Sequence, residues 1–144
     1  MQIANLSLTA KTDLATIRPD AAVSKAVALL NQNNIGALPV CDSSGTLIGI
    51  ISERDIVRGL SKGNTDLDQV IVEDLMTANV ITCSSDDDIE DIMAVMDENH
   101  IRHIPVMGAE GLSTMISSRD VMAAALAEAK THVNTLSLAY EMVR

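Results

Sequence analysis

The sequence predicts an α/β fold of the α+β type, in which two β-α-β-β-α repeats pack with pseudo-two-fold symmetry and a long C-terminal helix follows. Three observations predict it: an internal duplication, a helix-then-strand periodicity inside each copy, and a heptad pattern at the end of the chain. The duplication decides, because a repeated unit defines the architecture before any element is placed. Residues 15–40 align with 81–106 without a gap and share Thr16/Thr82, Asp20/Asp86, Ala28/Ala94, Asn33/Asn99, Ile35/Ile101, Pro39/Pro105 and Val40/Val106. One residue is then lost, and the match resumes as Leu47/Leu112, Ile51/Ile116, Ser52/Ser117, Arg54/Arg119 and Asp55/Asp120.

The elements follow in order. A short extended segment, Ala15-Thr16-Ile17 or Val80-Ile81-Thr82, leads to a polar helix start at Pro19-Asp20 or Ser84-Ser85-Asp86. Apolar Val23, Ala26, Val27 and Leu30 recur at i, i+3, i+4 and i+7, one buried helical face, and Ile89, Ile92, Met93 and Met96 repeat it. Asn33-Asn34 and Asn99-His100 close the two helices. Strands are expected over 37–41 and 103–107. Each contains a proline, which cannot donate to a ladder, so each is placed at a sheet edge or strand end. Turns at 42–45 and 108–111 lead to apolar strands over 47–51 and 112–116, and a second helix opens at Ser52 or Ser117. A unit of about 45 residues is too small to bury a core alone, so the copies are expected to share one.

Between the copies, Gly59 and 62–65 read as loop and 72–76 as a short helix leading into the second copy. The first dozen residues read as a helix or a strap on the other copy. The division is therefore 1–61 for the first repeat with its strap, 62–79 for the linker, 80–123 for the second repeat and 124–144 for a C-terminal helix. In that helical tail Met122, Leu126, Ala129, Val133, Leu136, Tyr140 and Val143 alternate in steps of four and three, an a/d seam that predicts pairing with a second chain. A homodimer through the repeats and this helix is expected.

Composition limits the function. One Tyr, no Phe and no Trp leave no rings on which to stack bases, and 20 acidic against 10 basic residues give a net charge of −10. Single-stranded nucleic-acid readers use aromatic platforms, and polyanions repel such a chain, so nucleic acid and anionic membrane are not expected partners. No run approaches the roughly 18 apolar residues of a membrane span. No basic-then-apolar leader opens the sequence. Cys41 and Cys83 lie in unrelated contexts, which suits reduced core thiols and a cytoplasmic location.

These residues resemble a tandem cystathionine-β-synthase (CBS) domain pair, also called a Bateman module. The resemblance rests on 35–40 with 49–55 in the first copy, on 101–106 with 115–120 in the second, and on the linker 72–77; it spans about residues 10–123. It implies regulatory binding of an adenosine-containing ligand, AMP first, with ADP, ATP, S-adenosylmethionine or NAD(H) as alternatives, and no catalysis. It also implies an unidentified regulated partner protein. The family signature is glycine, two apolar residues, Ser or Thr, two further residues and Asp. Gly49, Ser52 and Asp55 fit it; Ser117 and Asp120 fit it, but Thr114 stands where glycine belongs, which counts against the second cleft. The resemblance assigns Thr16, Ile17, Ala37, Leu38, Pro39, Ser52, Arg54 and Asp55 to a first ligand site. It assigns Thr82, Cys83, Arg102, His103, Ile104, Pro105, Ser117, Arg119 and Asp120 to a second.

The chemistry of these residue types is consistent with that assignment. An ionised Asp accepts two charge-assisted hydrogen bonds from a ribose diol, and a Ser opening a helix stands beside unpaired backbone N–H groups that suit a phosphate. Arg54, Arg119 and the basic pair Arg102-His103 are candidate phosphate contacts. The competing structural reading of Ser52-x-x-Asp55 and Ser117-x-x-Asp120 is a capping box, compatible with ligand binding. His100, His103 and Cys83 supply too few ligands for a metal site, and none is expected. The sequence contains no Walker or Rossmann glycine loop and no paired nucleophile and base. Two rivals stand beside the sensor: an interaction scaffold with degenerate clefts, and a redox or metal sensor using the cysteines and histidines.

Overall fold

The computed structural model describes residues 1–6 and 14–144. After a single 3₁₀ turn, Ile3–Asn5, the chain forms α1 (Val23–Asn33), β1 (Ala37–Cys41), β2 (Leu47–Ser52) and α2 (Glu53–Ser61). A short α3 (Val72–Leu75) precedes β3 (Cys83–Ser84), α4 (Ile89–Asn99), β4 (His103–Gly108), β5 (Gly111–Ser117) and α5 (Ser118–Val143). The β1–β2 and β4–β5 pairs are antiparallel hairpins, and β3 joins β4 in parallel. The duplication is therefore realised element by element.

Local chemistry explains the boundaries. Asn34 and His100 take left-handed backbone, with φ of 50° and 53°, and turn α1 and α4 back toward their strands. In the first hairpin Asp42 Oδ1 accepts from the backbone N–H of Ser44 and Thr46, while Gly45 supplies the positive φ of 81°. α2 and α5 both open with a reciprocal capping box, Ser52 with Asp55 and Ser117 with Asp120.

The prolines are not at sheet edges. β4, with Pro105, is the central strand of its sheet, and β1, with Pro39, lies between β2 and a bridge to Ile17. Ile17 N–H donates to the Pro39 carbonyl and Cys41 N–H to the Ile17 carbonyl. In this parallel register the missing Pro39 N–H faces Ala15, where the pairing has not yet begun. Pro105 faces Ile81 in the same way, so the second lead strand forms at 83–84 and not over 80–82 as expected. Gly59 belongs to α2 and not to a loop; a Cβ there would stand 2.6 Å from Leu75 Cδ2. The expected break at 123/124 is absent, since α5 is continuous across it.

The copies do not share one core; each has its own. Ile17, Val23, Ala26, Leu30, Leu38, Val40, Ile51 and Ile56 fill the first. Their repeat partners Cys83, Ile89, Ile92, Met96, Ile104, Val106, Ile116 and Val121 fill the second. What lets a unit this small close its core is an exchange of lead-in segments. Val72, ahead of the second copy, is buried in the first core, and Ile3, ahead of the first copy, is buried in the second. The docking bonds match: Val72 N–H to Ala21 O at 2.9 Å and Glu73 N–H to Pro19 O at 2.9 Å, against Ile3 N–H to Asp87 O at 2.9 Å and Ala4 N–H to Ser85 O at 2.8 Å. The N-terminal residues thus form a strap on the second copy; the rest of the expected strap, 7–13, lies outside the described residues.

Candidate ligand clefts

The Asp120 motif opens a cleft of about 550 Å³ between the copies. From the second copy come Ser117, Ser118, Arg119, Asp120, Met115, Arg102 and His103; from the first come Leu14, Ala15, Glu53 and the α1–β1 junction at 33–37. The capping box sets the carboxylate. Ser117 N–H and Oγ–H donate to Asp120 Oδ2 at 2.9 and 2.8 Å, and among the described residues nothing bonds Oδ1. Two arginines, the start of a 26-residue helix and a half-buried acid therefore line one cavity in a chain of net charge −10.

The copies meet at the starts of β1 and β4. Within each copy these starts are tied to the second helix, Glu53 N–H donating to the Gly36 carbonyl and Ser118 N–H to the Arg102 carbonyl. Between the copies Arg54 Nη1 donates to the His100 carbonyl at 3.2 Å. A Cβ on Gly36 would lie 3.0 Å from His103 Cε1, so glycine leaves room for the imidazole that its repeat partner Arg102 would not.

The Asp55 motif has the same cap but different surroundings. Asp55 is buried, 6% exposed, and all its acceptor positions are engaged. Oδ2 takes Ser52 N–H at 2.9 Å and Oγ–H at 3.0 Å; Oδ1 takes the Thr77 hydroxyl at 3.3 Å and Arg58 Nη1 at 3.4 Å. The linker also pairs with β2 by reciprocal Thr77–Ile50 backbone bonds. A Cβ on Gly49 would lie 2.6 Å from Met76 Sδ, so this glycine makes way for the linker. In the first copy, therefore, the space at the signature glycine is taken up by the linker.

Of the assigned site residues, the cleft brings together Ala37, Arg102, His103, Ser117, Arg119 and Asp120. Ile17, Leu38, Pro39, Cys83, Ile104 and Pro105 are core residues, and both backbone groups of Ile17 are spent on β1. Thr16 and Thr82 are exposed and do not line the cavity. Arg54 lies outside it, on a shallower hollow of about 500 Å³, and donates to the His100 carbonyl at 3.2 Å. Sequence reasoning missed Leu14, Ala15, Asn34 and Glu53, because it grouped each motif with its own copy while the cavity is built from both.

Both cysteines are free and buried. Burial, helped by Asp87, pushes the Cys83 thiol up to about 11, and burial beside Asp42 raises Cys41, the reverse of what a reactive thiolate needs. Among the described residues no three His, Cys, Asp or Glu gather as a metal site, and no helix is long and apolar enough to cross a membrane.

Comparison with known proteins fits this geometry. The CBS domain profile matches residues 6–62 and 72–127. An uncharacterised 17.7 kDa protein of Acidianus ambivalens is 34% identical over 122 residues, 84% of this chain and 73% of that protein. The CBS-domain protein ATU1752 of Agrobacterium tumefaciens superposes with a TM-score of 0.81 at 30% identity, covering 87% of this chain and 99% of that one. CBSX2, an Arabidopsis thaliana CBS-pair protein solved in complex with AMP, gives a TM-score of 0.71 at 28% identity over 87% and 96% of the two chains. With two matched domains, two cores in one register and a solved fold that repeats them, the chain belongs to the CBS domain family as a tandem pair.

Proposed function

We propose that the protein is a regulatory module that binds an adenine nucleotide between its two CBS copies and does no chemistry itself. The observation that carries this reading is the interdomain cavity, where Asp120 offers a carboxylate to a ribose diol while Arg102 and Arg119 offer positive charge to phosphate, with His103 lining the same wall. Its aliphatic wall, from Ala15, Ala37 and Met115, suits adenine without a stacking ring. AMP is the first candidate, supported by its presence in the CBSX2 complex. Bound ligand favours one relative arrangement of the copies to the extent that it binds that arrangement better, and a separate protein reads the result. Two buried free thiols support a reducing, cytoplasmic setting.

The same reading includes a homodimer. Along α5 the seam residues Met122, Leu126, Val133, Leu136, Tyr140 and Val143 are all exposed. On the repeats, Val27 and Val57 of the first copy are exposed like their partners Met93 and Met122 of the second, a paired apolar face. Removing residues 126–144 is expected to halve the mass measured by light scattering; an unchanged mass would sink the role of the helix.

The binding test is a thermal-unfolding panel with AMP, ADP, ATP, S-adenosylmethionine, NAD and NADH, followed by circular dichroism because one Tyr gives little fluorescence. A nucleotide at about 100 times its Kd stabilises by roughly 2.7 kcal/mol, several degrees for a chain of this size. No shift with any of them replaces the sensor by the interaction scaffold.

A further inference from the structure

The two signature motifs are alike in sequence and unlike in surroundings. We infer that the chain holds one nucleotide, in the Asp120 cleft, and that the Asp55 motif is a structural joint closed by the linker. This deepens the nucleotide reading above and rests on it.

A ribose diol needs a carboxylate with acceptor capacity to spare. A carboxylate offers about four lone-pair positions on two oxygens. Asp55 fills them from Ser52 twice, Thr77 and Arg58, while 6% exposed. For a diol to reach it, the Thr77 hydroxyl must leave, and Thr77 is fixed by two backbone bonds to Ile50. Among the described residues Asp120 engages only Oδ2, in its cap, and it lines the 550 Å³ cavity.

The lead-ins explain how identical motifs diverge. Leu75 and Leu6 occupy equivalent places at the ends of the two docked turns, and Met76-Thr77 follows the first where Ser7-Leu8 follows the second. From Leu75 to Thr82 is seven positions (82 − 75), and from Leu6 to Thr16 is ten (16 − 6). In sequence, Ser7-Leu8 stand where Met76-Thr77 close the Asp55 motif, and the spacing onward to the repeat differs by three (10 − 7).

Two measurements test this on the full chain. Titration calorimetry with AMP, repeated with S-adenosylmethionine, is expected to give one site per chain. Asp120→Asn is expected to weaken binding by roughly tenfold to a hundredfold, the worth of a lost charge-assisted contact, while Thr77→Val and Asp55→Asn leave Kd within about twofold. Two sites per chain, or loss of binding in Asp55→Asn with retention in Asp120→Asn, overturns the assignment. The second measurement needs no nucleotide: denaturant midpoints of Asp55→Asn, Thr77→Val and the double variant. Non-additive losses are expected, because the two groups share a bond; strict additivity refutes the closed joint. If neither probe binds the wild type while the losses are non-additive, the nucleotide reading fails, and the one-site assignment with it, but the joint stands.

Discussion

Replacing Ile3 by Ala tests the exchange of lead-ins most directly, because a residue so near a chain end is ordinarily dispensable. Here Ile3 is 2% exposed and packs in the second core. The substitution removes three carbon groups at about 0.8 kcal/mol each, so roughly 2.4 kcal/mol of transfer free energy, before any cavity is counted. Cavity formation raises comparable losses to about 2–5 kcal/mol, and relaxation lowers them. Relaxation is limited, since Ile3 N–H, Ala4 N–H and the Met1 carbonyl all bond to the α4 lead-in, at 2.9, 2.8 and 2.9 Å. The expected loss is therefore about 2–3 kcal/mol, or roughly 4–12 °C in Tm at this chain length. Ile3→Val should lose only about 0.5–1.5 kcal/mol. Val72→Ala, in the other core, should cost less than Ile3→Ala because it deletes one carbon group fewer. Urea unfolding followed by circular dichroism measures all three. An Ile3→Ala midpoint indistinguishable from wild type would refute the strap as part of the core.

Other substitutions address the joints and termini. Gly49→Ala places a Cβ 2.6 Å from Met76 Sδ and 3.1 Å from the Thr77 carbonyl, and the carbonyl is backbone, so a loss of about 1–3 kcal/mol is expected in urea; a neutral result means the linker yields freely. His100→Gly relieves a left-handed non-glycine residue and keeps the carbonyl that Arg54 uses, so a gain of about 0.5–1 kcal/mol is expected, and a loss in the melting curve would reveal work done by the imidazole. Stability should also fall as pH rises from about 9 toward 11: the unfolded Cys83 thiol ionises near its ordinary value while the folded one keeps its proton to about 11, so alkali favours the unfolded chain, and Cys83→Ala should flatten that limb of the stability–pH curve.

How much could be read in advance depended on whether the deciding interaction was local. α1 and α4 were legible because Val23, Ala26 and Leu30, and Ile89, Ile92 and Met96, carry the buried face themselves. β1 was legible as a strand, but its burial on every residue hides which side chains face a ligand, so Leu38, Pro39, Ile104 and Pro105 were assigned to a site and belong to the cores. The prolines misled because an edge is not the only place where an N–H goes unused; the beginning of a parallel pairing is another. Equivalence of Ile3 with Val72 was hidden by spacing, since the lead-ins match at an offset of 69 (72 − 3) and the helices at 66 (89 − 23). The cleft was half legible. Ser117 and Asp120 announce themselves by recurrence, whereas Leu14, Ala15 and Glu53 reach it only through packing between copies.

That exchange also bears on how the two halves unfold. Two separate cores with few shared residues would ordinarily open independently, each with its own free energy. In this chain neither core is complete within its own repeat, because Val72 closes the first from the start of the second repeat and Ile3 closes the second from the start of the first. Opening the second copy frees Ile3 and also loosens the linker that carries Val72, and through Thr77 it reaches the Asp55 cap of α2. The copies are therefore expected to unfold as one unit. Native-state hydrogen exchange read by mass spectrometry decides the matter. With Ile3→Ala, protection should fall by the same free energy around Leu38 in the first core as around Ile104 in the second. A fall confined to the second copy would mean that the halves are independent. A ligand between them could then not be relayed through the lead-ins, and the direct contacts between the copies, Gly36 against His103 and Arg54 on the His100 carbonyl, would have to carry any signal.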